Sequence, residues 1–167
     1  MEAVAKGAET RAGHELGDES FMSAADLRAY MAEMEMAKAS KEVDALDRAE
    51  KARKELIKTL STPASLEEIQ QIVASVQSKV RSAAQRGATE LMVMRFPCAL
   101  CTDKGRAINN AEADWPDTLT GRPREAYEFW RDHLRPKGYR LKAMIIEWPG
   151  GLPGDVGFFL QWGDAKH

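Results

Sequence analysis

Two cysteines lie three positions apart in the stretch FPCALCTDKGRAINN, as Cys98-x-x-Cys101, and they are the only thiols of the chain. This spacing is typical of half a zinc site or of a redox pair. A structural zinc site needs four ligands, but the expected compact domain holds one histidine, His133, while His14 and His167 lie in the expected tails. A catalytic redox pair sits where a helix begins, whereas Thr-Asp-Lys-Gly follows here. We expect neither a metal nor a cofactor, keep Cys98 and Cys101 as weak metal candidates, and interpret both as small apolar residues that anchor a loop.

Polar side chains after the cysteines and around two later turns form a candidate ligand site. The loop at 98–122 follows one predicted strand, the turn PGGLPGD at 149–155 follows another, and a helix begins near Pro123. In open α/β sheets, ligands bind beyond the carboxyl ends of the strands, and the N–H groups at a helix N-terminus suit an anion. The alternative is that the asparagines only make turns and the arginines are only solvated. The candidate residues are Asp103, Lys104, Arg106, Asn109, Asn110, Arg122, Arg124 and Asp155.

The order of the elements that must position these residues is α-β-(long loop)-α-β-β. The stretch ATELMVMRFP carries apolar residues on both faces, which predicts an internal strand. The β-α-β unit predicts that the first two strands run parallel, and PGGLPGD predicts an antiparallel hairpin for the last two. We therefore expect an α+β fold over residues 63–163, a small two-layer α/β sandwich whose three-stranded mixed sheet carries two helices on one face.

The first helix of this domain has clear boundaries in the sequence. Ser65 and Glu68 match a capping box, and Ile69, Ile72 and later valines recur at helical spacing. Gly87 lies where a helix C-cap is expected. The pattern predicts a helix at 65–86.

The N-terminal third of the chain is polar and rich in helix-forming residues. Residues 1–22 predict a disordered tail, residues 23–62 a long helix capped by Ser23, and residues 164–167 a loose tail. A helix this polar does not belong in a core. It either pairs with another helix, as in a coiled coil, or stands in solvent with no role. The candidate partner-binding residues are Leu27, Met31, Met34, Val43 and Leu46.

Composition narrows the classes of function. The chain has 167 residues, 44% hydrophobic and 30% charged, with a net charge of −2, which argues against a generally basic nucleic-acid binder. A local basic patch stays open, because residues 121–142 hold seven basic and three acidic residues with Trp130 and Tyr139 among them. No stretch resembles a signal peptide or a membrane span, so we expect a cytoplasmic protein without membrane contact.

Three hypotheses of function follow from these patterns. The first is a non-enzymatic protein-interaction or assembly protein, a homo-oligomer, with the long helix for self-association or partner binding and the α/β domain for recognition. The second is an anion-binding or catalytic domain that uses the edge formed by residues 98–122 and 149–155. The third is nucleic-acid binding through residues 121–142.

Overall fold

The computed structural model describes residues 21–164. Of the tails predicted at 1–22 and 164–167, the parts at 1–20 and 165–167 therefore lie outside the described residues. The chain divides into two compact units, with the boundary between Ala52 and Arg53. The elements are α1 (Ala24–Ser61), α2 (Leu66–Gln85), β1 (Glu90–Pro97), α3 (Arg106–Asn109), α4 (Gly121–Phe129), β2 (Arg140–Ile145) and β3 (Asp155–Gln161). Within residues 21–164 no helix combines the length and the apolar character needed to cross a membrane.

The helix α1 forms because its residues favour a helix locally. Ser23 Oγ accepts a hydrogen bond from the backbone N–H of Asp26 at 3.0 Å, the capping contact predicted from the sequence. No glycine or proline interrupts its 38 residues, which extend about 57 Å at 1.5 Å per residue. None of these residues is buried.

The helix α2 has the boundaries predicted from the sequence. Ser65 Oγ accepts from the N–H of Glu68, and the Glu68 carboxylate accepts from the N–H of Ser65, which completes the capping box. At the other end, Ala88 N–H donates to Ala83 and Gly87 N–H donates to Ala84. Gly87 has φ of +84°, so the helix ends in a Schellman motif with glycine at the left-handed position.

The sheet has the order β1-β3-β2, and both pairings are antiparallel. The α+β class, with its long N-terminal helix, is confirmed, but the prediction of a mixed sheet with β1 inside it was wrong. The hairpin of β2 and β3 forms as predicted, and β1 and β2 run in the same direction, yet β3 lies between them. The reason is that β3 carries Val156, Phe158 and Leu160 at alternate positions, and the central place in the sheet buries all three.

The core lies on one face of the sheet. Its buried residues are Phe96, Cys98, Leu100, Cys101, Ile108, Leu119, Ile145, Val156 and Phe158. Five of these nine belong to the segment between β1 and α4, so this segment covers the sheet as a helix would. Ile57 and Leu60 near the end of α1, with Ala126 and Tyr127 of α4, pack against the same cluster.

The helix α4 continues as one wide π turn over Trp130–Leu134 and a 3-10 turn over Arg135–Lys137. At the start of this wide turn, Trp130 Nε1 donates to the carbonyl of Tyr139 at 3.1 Å. Gly138, with φ of +95°, ends the helical segment just before β2. A helix at this position was predicted from the sequence, but the π turn was not.

Candidate functional site

The long loop predicted at 98–122 is compact and closed. Its two ends are joined by backbone hydrogen bonds, from Thr102 N–H to Thr118 at 2.7 Å and from Thr120 N–H to Leu100 at 3.1 Å. The Thr120 hydroxyl also donates to the carbonyl of Leu100 at 2.6 Å. Between these ends the chain makes the single turn of α3 and a 3-10 turn. Loops closed in this way hold their side chains in fixed positions.

The start of this loop meets the turn between β2 and β3, as the predicted convergence requires. The N–H of Cys98 donates to the carbonyl of Gly154 at 3.0 Å, and its thiol donates to the carbonyl of Pro153 at 3.3 Å. Cys98 and Cys101 are free thiols with buried side chains. Burial raises the pKa of Cys98, and it raises the pKa of Cys101 to about 11. Both side chains therefore act as apolar parts of the core at neutral pH.

We expect the two thiols to react slowly with a thiol reagent in the folded protein. A pKa of about 11 in place of 9.0 leaves about a hundredfold less thiolate at pH 8 for Cys101, and burial also blocks access. A colorimetric disulfide reagent at pH 8 should label neither cysteine quickly in buffer but both in guanidinium. Ser40→Cys, on the exposed surface of α1, is the matched control and should react at once. Rapid labelling of Cys101 in the folded protein would contradict its burial.

Among the described residues, no group of three or more His, Cys, Asp or Glu side chains is arranged to hold a metal ion. His133 is exposed, and its ring lies 4.8 Å from that of Phe129, centroid to centroid. It therefore lies on the exposed side of the segment that follows α4, where it contacts an aromatic ring at a tilt of 43°.

The side chain of Asp103 binds backbone groups within the closed loop. Its carboxylate accepts hydrogen bonds from the backbone N–H of Gly105 at 3.0 Å and of Ala107 at 2.8 Å. These N–H groups lie at the start of α3 and have no partner within the helix, so the Asp103 side chain caps α3. Its neighbour Lys104 has a positive φ of 59°, which completes the tight turn.

Two other candidates meet at Glu112. Arg106 Nη1 lies 3.9 Å from the Glu112 carboxylate, and Asn110 Nδ2 donates to the same carboxylate at 3.4 Å. Asn109 is not part of this contact; its backbone N–H donates to the carbonyl of Gly105 at 2.9 Å, within the turn of α3. Arg106 is 70% exposed at its side chain, so this contact is a solvated surface pair worth little stability.

Of the two arginines at the start of α4, Arg122 contacts another part of the domain and Arg124 contacts α4 itself. Arg122 Nε donates to the carbonyl of Thr62 at 3.0 Å, and Arg122 Nη2 lies 3.3 Å from the Glu68 carboxylate. The backbone N–H of Ser65, and after it the charge of Arg122, lower the pKa of Glu68. Arg124 pairs with Glu128 along α4 at 3.4 Å. Arg122 thus joins α4 to the connection between α1 and α2.

Asp155 belongs to a charged cluster that sequence reasoning missed. Arg95 Nε donates to Asp155 at 2.6 Å, and Arg95 Nη2 donates to Glu147 at 2.8 Å. Arg95 precedes the end of β1, and Glu147 follows β2 by two residues, so strand pairing creates the cluster. The alternation of Arg95 with apolar residues in β1 was the one available signal that it faces outward.

The eight candidate ligand-binding residues are therefore distributed over separate contacts. Most of their polar groups bind partners within the domain, and the structure does not gather them around one space. A ligand site at this edge remains a prediction without support from the geometry.

The candidate partner-binding residues of α1 are all exposed, Leu27, Met31, Met34, Val43 and Leu46 by between 47% and 71%. At 100° per residue, Leu27, Met31 and Met34 fall within an arc of about 60°. Tyr30 extends this stripe, while Val43 and Leu46 lie on another side with Met36. Tyr30 and Met36, 49% and 73% exposed, were not among the predicted residues. We name the first stripe, Leu27, Tyr30, Met31 and Met34, the Met stripe.

Comparison with known proteins yields no match to this chain among family models, curated proteins or solved structures. The geometry of the described residues is therefore the basis on which a function can be proposed.

Proposed function

We propose that this chain is a non-enzymatic assembly protein that self-associates through α1, with the α/β domain available for recognition. The observation that carries the proposal is the exposure of α1: none of its 38 residues is buried, although the Met stripe places four large apolar side chains on one side. Removing such side chains from water stabilises an association by about 25 cal/mol per Å² of apolar area. A second helix would cover this stripe.

The composition of the Met stripe suits a helix-to-helix contact. Leu27 and Met31 are four residues apart, and Met34 follows three residues later, which is the spacing of a coiled-coil seam. Methionine side chains are unbranched and adapt their shape to an opposing surface. The stripe continues into Lys38 and Lys41, so the apolar seam is short.

The charges along α1 favour a second copy as the partner. Residues 24–37 hold three acidic residues and one basic residue, whereas residues 49–61 hold four basic and two acidic. In an antiparallel pair, the acidic end of each helix lies beside the basic end of the other, and complementary charges select this orientation. The Met stripe of each copy then lies against the partner's Leu56, which is on the same side of α1 and is 45% exposed.

Nucleic-acid binding through residues 121–142 has less support. Four of its cationic groups have partners within the domain: Arg122 with Glu68, Arg124 with Glu128, Arg131 with Asp132 and Lys142 with Glu90. Arg135 lies over the ring of Trp130 at 5.9 Å. Charges neutralised in this way release fewer counterions from a nucleic acid.

The proposal is tested by the mass of the full chain in solution. We expect light scattering after size-exclusion chromatography to show an oligomer for the natural sequence. The double variant Met31→Glu with Met34→Glu should shift it toward the monomer by at least about tenfold in dissociation constant, because each substitution puts a carboxylate into an apolar seam.

The matched control is Ala29→Glu with Ala32→Glu, which adds the same two charges at the same spacing on the opposite side of α1. Both positions are exposed, and the control should keep the mass of the natural chain. A natural chain that is monomeric at every concentration, or equal effects of the two double variants, would contradict self-association through the Met stripe.

A further inference from the structure

The face of the sheet opposite the core carries an exposed apolar cluster. A Cβ built on Gly157 would lie 2.9 Å from the side chain of Ile146, 3.0 Å from Phe159 and 3.1 Å from Met92, so these three side chains meet above the central strand. Met144 is paired with Gly157 in the register, and Met92 and Met144 are each 41% exposed. We name Met92, Met144, Ile146 and Phe159 the outer cluster.

The two ends of this outer face carry opposite excess charge. At one end Arg95 pairs with two carboxylates, those of Glu147 and Asp155. At the other end Lys142 Nζ lies 3.1 Å from Glu90, a contact that passes over β3. Arg140 is paired in the register with Gln161 at this second end. The first end therefore has one excess negative charge, and the second has one excess positive charge.

We propose that the outer face binds the same face of a second copy, around a two-fold axis that lies between the sheets and runs perpendicular to the strands. This axis places the positive end of each copy over the negative end of the other, and it brings the two outer clusters together at the centre. A two-fold contact of a surface with itself is the commonest form of homo-oligomer interface. Two sheets packed in this way lie about 10 Å apart.

The size of the face sets the strength of the contact. Three strands of about seven residues cover about 23 Å by about 14 Å, an area of about 300 Å². Stable interfaces bury about 800 Å² on each partner. The contact is therefore weak, and we expect a dissociation constant between about 100 µM and about 1 mM. This inference is independent of the association through α1.

Sedimentation of three full-length proteins tests the proposal, each carrying Met31→Glu with Met34→Glu so that association through α1 does not contribute. Lys142→Glu and Glu147→Lys are the variants, and the third protein has neither. Both positions are about half exposed, so the fold tolerates these changes. In the proposed dimer, position 142 of each copy faces position 147 of the other. Either substitution alone therefore puts two like charges together at both of these contacts and should weaken dimerisation about tenfold.

An equal mixture of the two variants is the decisive sample. In the mixed dimer, the carboxylate introduced at position 142 of one copy faces the ammonium group introduced at position 147 of the other, and the remaining contact keeps the natural Lys142 and Glu147. The mixture should therefore recover dimerisation close to that of the protein with neither substitution. Failure of the mixture to recover it, or a monomer at about 1 mM in the protein with neither substitution, would overturn the proposal while leaving association through α1 untouched.

Discussion

Phe158→Ala is expected to lower the free energy of unfolding by about 3–5 kcal/mol. Phe158 is 1% exposed and lies at the middle of the central strand. Its ring contacts Phe96 edge to face, with 5.0 Å between centroids, and Trp115 with 5.9 Å. The substitution leaves a cavity between the sheet and the closed loop, which surrounding side chains cannot fill completely.

The adjacent residue provides the control for this prediction. Phe159 points to the outer face and is half-buried, so Phe159→Ala should cost about 1 kcal/mol. Urea unfolding followed by tryptophan fluorescence measures both. If Phe158→Ala does not fold, Phe158→Leu keeps most of the volume and should show a smaller loss with the same ranking. Equal losses at the two positions would mean that the core lies elsewhere.

Gly121→Ala is the second substitution with a large expected effect, about 3 kcal/mol, of which the left-handed backbone accounts for about 1–2 kcal/mol. Gly121 has φ of +61°, and a Cβ there would overlap the carbonyl oxygen of Leu60 and lie 3.0 Å from Cα of Ser61. The overlap adds to the backbone cost, because the obstacle is the backbone at the end of α1 rather than a side chain that can rotate away.

Gly138→Ala separates the cost of the left-handed backbone from the cost of the overlap with the end of α1. Gly138 has a similar positive φ of +95°, but a Cβ added there would meet nothing within 4 Å. This variant should lose only the free energy due to the left-handed backbone, about 1–2 kcal/mol. Chemical unfolding of both variants gives the comparison, and a Gly121→Ala loss no larger than that of Gly138→Ala would show that the end of α1 does not press on α4.

The sequence was most informative where a feature depends on neighbouring residues. Both ends of α2 were predicted to within one turn of the helix. The signals were the capping box of Ser65 and Glu68 and the glycine at position 87, which has a left-handed backbone. The order of the strands depends instead on which distant segments pair. Apolar residues on both faces of β1 indicated an internal strand, but a bulge between Met92 and Met94 and an exposed outer face make the same pattern compatible with an edge strand.

The contacts of the candidate ligand residues could not be predicted from the sequence either. Sequence spacing placed Asp103 and Arg122 near one edge, but it could not show what each side chain would bind. Asp103 binds backbone two and four residues away, and Arg122 binds a carbonyl 60 residues away. The outer cluster could not be foreseen at all, because Met92, Met144 and Phe159 become neighbours only when β3 separates β1 from β2.

The most direct test of self-association through α1 is hydrogen–deuterium exchange of the natural full-length chain at two protein concentrations, both well below the roughly 100 µM expected for association of the sheet face. If α1 binds a second copy, amide protection around Leu27, Met31 and Met34 should rise with concentration, while protection in β3 stays constant. Exchange across residues 24–37 that is equally fast at both concentrations would contradict the proposal that this helix is an association surface.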